Sequence, residues 1–179
     1  MVLSPGIRSE TAFDQAYLAT VLGFPLVESA DLGAILRMIL ETMYRALQLR
    51  RVVFCLRDAK TEVLTGRFGL GEGSEVAVRA MKVPLKAPGD LFAAVCLRGA
   101  DTLINDATEP RMQARLPQWY LGGINAPSFL LLPLQIKGQT FALIYADQSA
   151  VGGIVVDDKA LGLLRTLRNQ AIMAFKQSA

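Results

Sequence analysis

The residues of this 179-residue chain whose types and spacing suit chemistry gather in one stretch. Asn105 and Asp106 close the apolar run DTLIND (Asp101–Asp106), and a polar pair between a strand end and a loop sets its side chains at a pocket rim. The simpler reading of the pair is a turn in which Asp106 caps Thr108–Arg111. Arg111 and Arg115 offer planar guanidinium forks that either clamp an anionic ligand or make surface salt bridges. Trp119, the sole tryptophan, stands beside Tyr120. Such rings either cover a flat ligand or anchor their loop on the core. Ser128 opens the next apolar run without a partner base. Asn105, Asp106, Arg111, Arg115, Trp119, Tyr120 and Ser128 are therefore the candidate residues of a small-molecule site, with no catalytic set among them.

What is missing narrows the chemistry further. The chain has no histidine, which removes Ser-His-Asp and Cys-His arrangements and imidazole zinc sites. Cys55 and Cys96 are its two cysteines, too few for a zinc knuckle or an iron–sulfur cluster, and they read as reduced thiols of a cytoplasmic protein. Cys55 and Tyr145 fall on probable central strands and read as core. Asp147, Asp157 and Asp158 suggest a hard-cation site, but caps of the last helix explain them more simply. The glycine run GRFGLGEG (Gly66–Gly73) reads as a turn, because a phosphate cradle needs a helix directly after it and the following residues look strand-like. No cofactor is indicated.

Those side chains need a frame, and the length and composition supply one domain's worth. Hydrophobic residues make up 52% and charged ones 20%, with mean hydropathy +0.34, a balance that excludes disorder and suggests a deeply buried sheet or an apolar face kept for a partner. Net charge is +3, with basic residues scattered apart from Arg50–Arg51, so no dedicated nucleic-acid surface is expected. Arg37, Glu41 and Arg45 form a charge ladder on one helix face. No apolar run reaches the length of a membrane span. The opening MVLSPGIRSE lacks a signal core, which predicts a chain that is not exported.

Hydrophobic periodicity orders the elements. Phe13, Tyr17, Leu18, Val21 and Leu22 recur at helical spacing; a second helix starts near Ser29 or Asp31 and carries Leu32, Ile35, Leu36, Ile39, Met43 and Leu47. VVFCLRD reads as a central strand, Asp58-Ala59-Lys60 as a turn, Glu62–Phe68 as the returning strand, and Val76–Leu85 as a third. Pro88-Gly89-Asp90 caps a short helix, DTLIND is another strand, and Ala107–Pro127 is irregular. Ser128–Ile136 and Thr140–Asp147 form a hairpin through Lys137-Gly138-Gln139, and Leu161, Leu164, Leu167, Ala171 and Phe175 mark the closing helix. Hairpins without βαβ alternation predict an α+β fold, an antiparallel sheet faced by helices.

This order, with the closing run ALIYADQSAVGGIVVDDKALGLLRTLRNQAIMAF, resembles the GAF domain of signalling proteins over roughly Leu32 to Phe175. MILETMYRAL, VVFCLRD, GRFGLGEG and LRTLRNQA are similar to the GAF-like region that follows an HDOD domain in certain bacterial proteins. The resemblance implies a six-stranded antiparallel sheet with the terminal helices on one face. On the other face, short helices and the Ala107–Pro127 lid would cover a ligand pocket. It divides the chain into a helical extension, 1–28, and a GAF-like sensory domain, 29–179. The cyclic-nucleotide signature of the family is departed from: Asp147 stands at its Asn, Gln148 at its Lys, Ile154 at its Phe, and Asp157-Asp158 at its acidic end. The function implied is a cytoplasmic, non-catalytic module that binds a small ligand or transmits conformation to a signalling domain absent from this chain. The alternatives are a small-molecule enzyme using the same pocket and a ligand-free dimerisation module. The stripe Phe13–Leu22 and the closing helix suggest a homodimer.

Overall fold

The computed structural model describes residues 32–87 and 89–178. Phe13, Tyr17, Leu18, Val21, Leu22, Ser29, Asp31 and Pro88, read above as a stripe and as helix caps, lie outside the described residues.

Helix α1 (Leu32–Ala46) places Leu36, Ile39, Leu40 and Met43 on one buried face. Its charge ladder is half formed: Arg45 pairs with Glu41 at 2.6 Å, while Arg37 lies over the Phe68 ring at 5.2 Å. Strand β1 (Arg51–Arg57) is buried through its first five residues, as expected of a strand covered on both faces. Asp58 turns the chain, its carboxylate accepting from the Lys60 amide at 2.8 Å, and β2 (Val63–Gly71) returns antiparallel to β1.

Beyond β2 the structure departs from the expected strand over Val76–Leu85. Ser74–Ala80 form helix α2, and only Lys82–Pro84 extend as β3. Glycine explains the change. Gly71 sits at φ +100°, and a Cβ on Gly66 would lie 2.2 Å from the Val78 carbonyl oxygen, so β2 stays extended through its glycines while α2 packs directly on it. The glycine run is thus followed by a helix, not by the strand that argued against a cradle.

Helix α3 (Leu91–Arg98) is capped by Asp90, which accepts from the Ala93 amide at 2.9 Å, as its sequence predicts. A short strand, β4 (Thr102–Ile104), then precedes the lid. The lid is not irregular: it holds helix α4 (Pro110–Gln113) and a π-helical turn, Tyr120–Ile124. Strands β5 (Ser128–Ile136) and β6 (Gln139–Gln148) join at Lys137 and Gly138, both at positive φ (52° and 76°), the geometry of a two-residue hairpin loop. Helix α5 (Asp158–Ser178) closes the chain.

The sheet order is β3-β2-β1-β6-β5-β4, every pair antiparallel. This is the α+β architecture expected. Side chains alternate across it into two cores. One lies beneath α1 and α5, with Val52, Leu130, Ile144 and Ala146. The other lies beneath α2, α3 and the lid, with Val53, Phe129, Leu131 and Tyr145. Each fully buried Leu, Ile or Phe contributes roughly 1.5–3 kcal/mol. The lid places Leu116, Tyr120 and Ile124 in the second core, so it is held shut by packing as well as by hydrogen bonds.

Candidate functional site

At one end of the sheet, under the lid, three central strands contribute a row. Arg51 of β1 is the register partner of Asp147 in β6, and Asp147 is the partner of Phe129 in β5. Strand alternation sends all three to the lid side, because their neighbours Val52, Ala146 and Leu130 fill the helix-side core. Tyr145, two residues before Asp147, shares that face.

The polar groups of the row are buried and joined. Arg51 Nε donates to Asp147 Oδ2 at 2.6 Å, and the two side chains are 5% and 0% exposed. The Tyr145 hydroxyl lies 2.5 Å from the same oxygen. Arg51 Nη2 donates to the Ile124 carbonyl at 3.2 Å, tying the pair to the last residue of the π-helical turn. Tyr120, the first residue of that turn, donates its hydroxyl to the Ala126 carbonyl at 2.9 Å. Asp147 Oδ1 is buried and receives no hydrogen bond. Burial raises the Asp147 carboxyl above its ordinary value, against the opposing effects of the Tyr145 hydroxyl and Arg51. Burial likewise pushes the Tyr120 and Tyr145 phenols up, so both remain protonated donors at neutral pH.

Around this polar cluster stands an aromatic one centred on Phe92 of α3. Its ring centroid lies 4.9 Å from Trp119, 5.3 Å from Tyr120, 5.4 Å from Phe129 and 6.3 Å from Tyr145. These spacings are those of favourable offset and tilted ring pairs.

Of the residues singled out by sequence, Trp119 and Tyr120 come together here, Trp119 half-buried and Tyr120 wholly so. The others sit apart in their bonding. Asp106 accepts from the Thr108 amide at 2.9 Å and from its hydroxyl, and these bonds, the hydroxyl's first, lower its pKa. That is the turn-capping arrangement. Asn105 is exposed and its carbonyl accepts from the Gly152 amide at 2.7 Å. Arg111 and Arg115 are exposed. Ser128 is buried and donates to the Ala150 carbonyl at 2.8 Å.

One reading needs correction. Asp147 is not a cap of the last helix; that role falls to Asp157, which accepts from the Ala160 amide at 2.7 Å. Of the adjacent basic pair Arg50–Arg51, Arg51 is held in the core by Asp147. Cys55 and Tyr145 are core residues, as read. Burial pushes the Cys55 thiol up, and the Cys96 thiol to about 12, so neither forms a nucleophilic thiolate at neutral pH. Among the described residues, no group of His, Cys, Asp and Glu is placed to hold a metal ion, and no helix is long and apolar enough to cross a membrane.

Arg51, Asp147, Tyr145 and Phe92 escaped the sequence reading as site residues. One signal was available: an aspartate two residues after Tyr145 on an apolar strand is buried, and a buried carboxylate requires a cation.

Comparison with known proteins matches this architecture. A family model, GAF domain, matches residues 31–175. The GAF domain of an Acinetobacter phosphoenolpyruvate-protein phosphotransferase is 16% identical, with a TM-score of 0.69 over 93% of this chain and 92% of that one. Residues 122 to 287 of a methyl-accepting chemotaxis protein are 17% identical, with a TM-score of 0.65 over 93% and 98%. The free methionine-R-sulfoxide reductase of Neisseria meningitidis, solved with its substrate, is 16% identical, with a TM-score of 0.59 over 96% of both chains. At these identities the likeness shows the fold. A 32-residue stretch, 18% of the chain, is 91% identical to uncharacterized proteins of Mycobacterium tuberculosis and Mycobacterium bovis, and spans 4% of their length.

Proposed function

The chain belongs to the GAF domain family, and on that premise we propose that it is a non-catalytic sensory module. It binds a small ligand between the sheet and the lid and passes the event to a partner domain. GAF domains are commonly regulatory modules of bacterial signalling proteins, and the similar structures include a region of a methyl-accepting chemotaxis protein. The partner is a signalling domain, of the HDOD type that the sequence runs resemble, and the module works in the cytoplasm as a homodimer.

One observation carries the reading. The buried Arg51–Asp147 pair is hydrogen-bonded to the lid through the Ile124 carbonyl, so anything that engages the pair also moves the lid. A π-helical turn at that contact fits, since such turns recur at functional sites. The rival reading, a small-molecule enzyme using the same pocket, finds both thiols of this chain buried and protonated.

Mass spectrometry of compounds that co-purify with the chain supplies the test. A compound recovered this way should change Trp119 fluorescence on re-addition, and Trp119→Ala should weaken its binding by roughly 1–3 kcal/mol if the ring stacks on it. Turnover of such a compound by the pure protein, lost in the double variant Arg51→Met/Asp147→Leu, would overturn the non-catalytic reading. An unchanged Trp119 signal together with unchanged Trp119→Ala affinity would overturn the placement under the lid.

A further inference from the structure

We propose that Asp101 is the positioning residue that ties the closing helix α5 to the lid, with α3 as the stiff member between them. The inference rests on the sensory reading above and adds to it the route by which a lid movement reaches the helical layer.

The sheet separates the two layers. Helix α3 belongs to the lid-side core through Phe92, Val95 and Cys96, and α5 to the other core through Leu161, Leu164, Leu167 and Ala171. Asp101 stands just before β4, the strand at the sheet's edge, and is buried. From that edge its carboxylate reaches two arginines of α5: Arg168 Nη1 donates to Oδ1, and Arg165 Nε lies 3.9 Å from Oδ2. Positions three apart share one face of a helix, so a single carboxylate grips α5 at one place along its length. The two arginine side chains are 12% and 18% exposed. Charges this sheltered are weakly screened, and losing one member of the group leaves the others uncompensated. Asp101 therefore sets where α5 lies.

The other end of the connection is the lid. The Leu91 amide, at the start of α3, donates to the Arg115 carbonyl at 2.9 Å. The next residue, Phe92, meets Trp119 at 4.9 Å and Tyr120 at 5.3 Å between ring centroids. Both ends of α3 are capped: Asp90 accepts from the Ala93 amide, and the Gly99 amide donates to the Val95 carbonyl at 2.9 Å. A capped helix of this length moves as one body about 12 Å long. Gly99 and Ala100 alone separate it from Asp101, and the Thr102 hydroxyl donates to the Ala100 carbonyl at 2.9 Å, stiffening that link. A displacement of Phe92 by the lid is thus carried to Asp101, and from there to Arg165 and Arg168.

The test needs no ligand, because Trp119→Ala disturbs the lid end of α3 directly. Amide hydrogen exchange along α5 in the 179-residue chain reads the response, taken relative to β1 amides so that a change in global stability cancels. Trp119→Ala should change relative exchange at residues 165–169 by at least about fivefold, the low end of ordinary coupling between sites. In an Asp101→Asn background the same substitution should leave those amides nearly unmoved. Arg168→Met is a second background, in which Arg165 still balances the carboxylate, and the response should shrink there too. An undiminished response in either folded background would overturn Asp101 as the tie and leave the sensory reading standing, with the sheet as the route. No response of α5 to Trp119→Ala in the otherwise wild-type chain would overturn both the tie and the passage of a signal from lid to helices.

Discussion

Two ion pairs in this molecule have the same length and opposite significance. Arg45–Glu41 and Arg51–Asp147 both measure 2.6 Å, but the first pair is 75% and 50% exposed and the second 5% and 0%. Solvent screens the first to a few tenths of a kcal/mol, so Glu41→Ala should change urea-denaturation stability by less than about 0.5 kcal/mol. Removing one member of the second leaves a bare buried charge. Arg51→Met alone should cost about 3–5 kcal/mol by the same measurement, and adding Asp147→Leu should restore most of it. If the double variant is no better than the single one, the loss is one of packing and not of charge. The pH dependence follows from Asp147 as well. Its folded carboxyl titrates above the ordinary 3.8 because it is buried. Between that value and the folded one the native state holds the extra proton, so this group's contribution to stability falls as pH rises through the window. Asp147→Asn has no proton to exchange there. The stability of wild type relative to Asp147→Asn should therefore fall from about pH 4 upward in matched thermal unfolding, and a relative stability that rises with pH contradicts the assignment. Neither residue declared itself in the sequence as half of a pair. They lie 96 positions apart, and only the β1–β6 register brings them together.

At the scale of elements, the hairpins were legible and the short helices were not. Short, largely continuous apolar runs bounded by Asp58 and by Lys137-Gly138 read as strands of a buried sheet, and β1, β2, β5 and β6 appear where that pattern puts them. SEVAVRA, which becomes α2, alternates valine with small and charged residues and carries a strand's local preference. It is helical because the glycines of β2 let it lie against the sheet, a tertiary cause with no local mark. The lid's turns were hidden similarly: Pro110, Pro117, Gly122 and Gly123 read as breakers, yet Pro110 sits in the first turn of α4, where a missing amide costs nothing. Substitution separates these cases. In Gly66→Ala the new Cβ would meet the Val78 carbonyl at 2.2 Å, so β2 and α2 must part. A loss of about 2 kcal/mol or more is expected, within the range of overpacking. Gly122→Ala meets nothing within 4 Å, and should alter thermal stability by no more than about 0.5 kcal/mol. Equal effects from the two would show that α2 does not depend on that contact.

The whole molecule is a sheet with two dissimilar faces, and the sensory reading requires them to communicate. Arg51 and Asp147 face the lid, while their chain neighbours Val52 and Ala146 belong to the core beneath α1 and α5. A shift of the pair therefore moves backbone shared with the helical layer. That layer is where self-association is expected. Met173 of α5 is 45% exposed, with Ile172 and Phe175 only partly buried beside it. The stripe Phe13, Tyr17, Leu18, Val21 and Leu22, outside the described residues, has helical spacing. A helix that short is marginal in water unless its apolar face is covered. A twofold interface covers it with its own copy, one stripe serving both subunits, and a mean hydropathy of +0.34 suits a chain with such a face to hide. Sedimentation at micromolar concentration should find the intact chain dimeric, and the version lacking residues 1–24 monomeric or much more weakly associated. An intact chain that sediments as a monomer would remove the dimer from the reading. A dimer undiminished by the deletion would move the interface off the stripe, onto α5 or another surface of the folded unit.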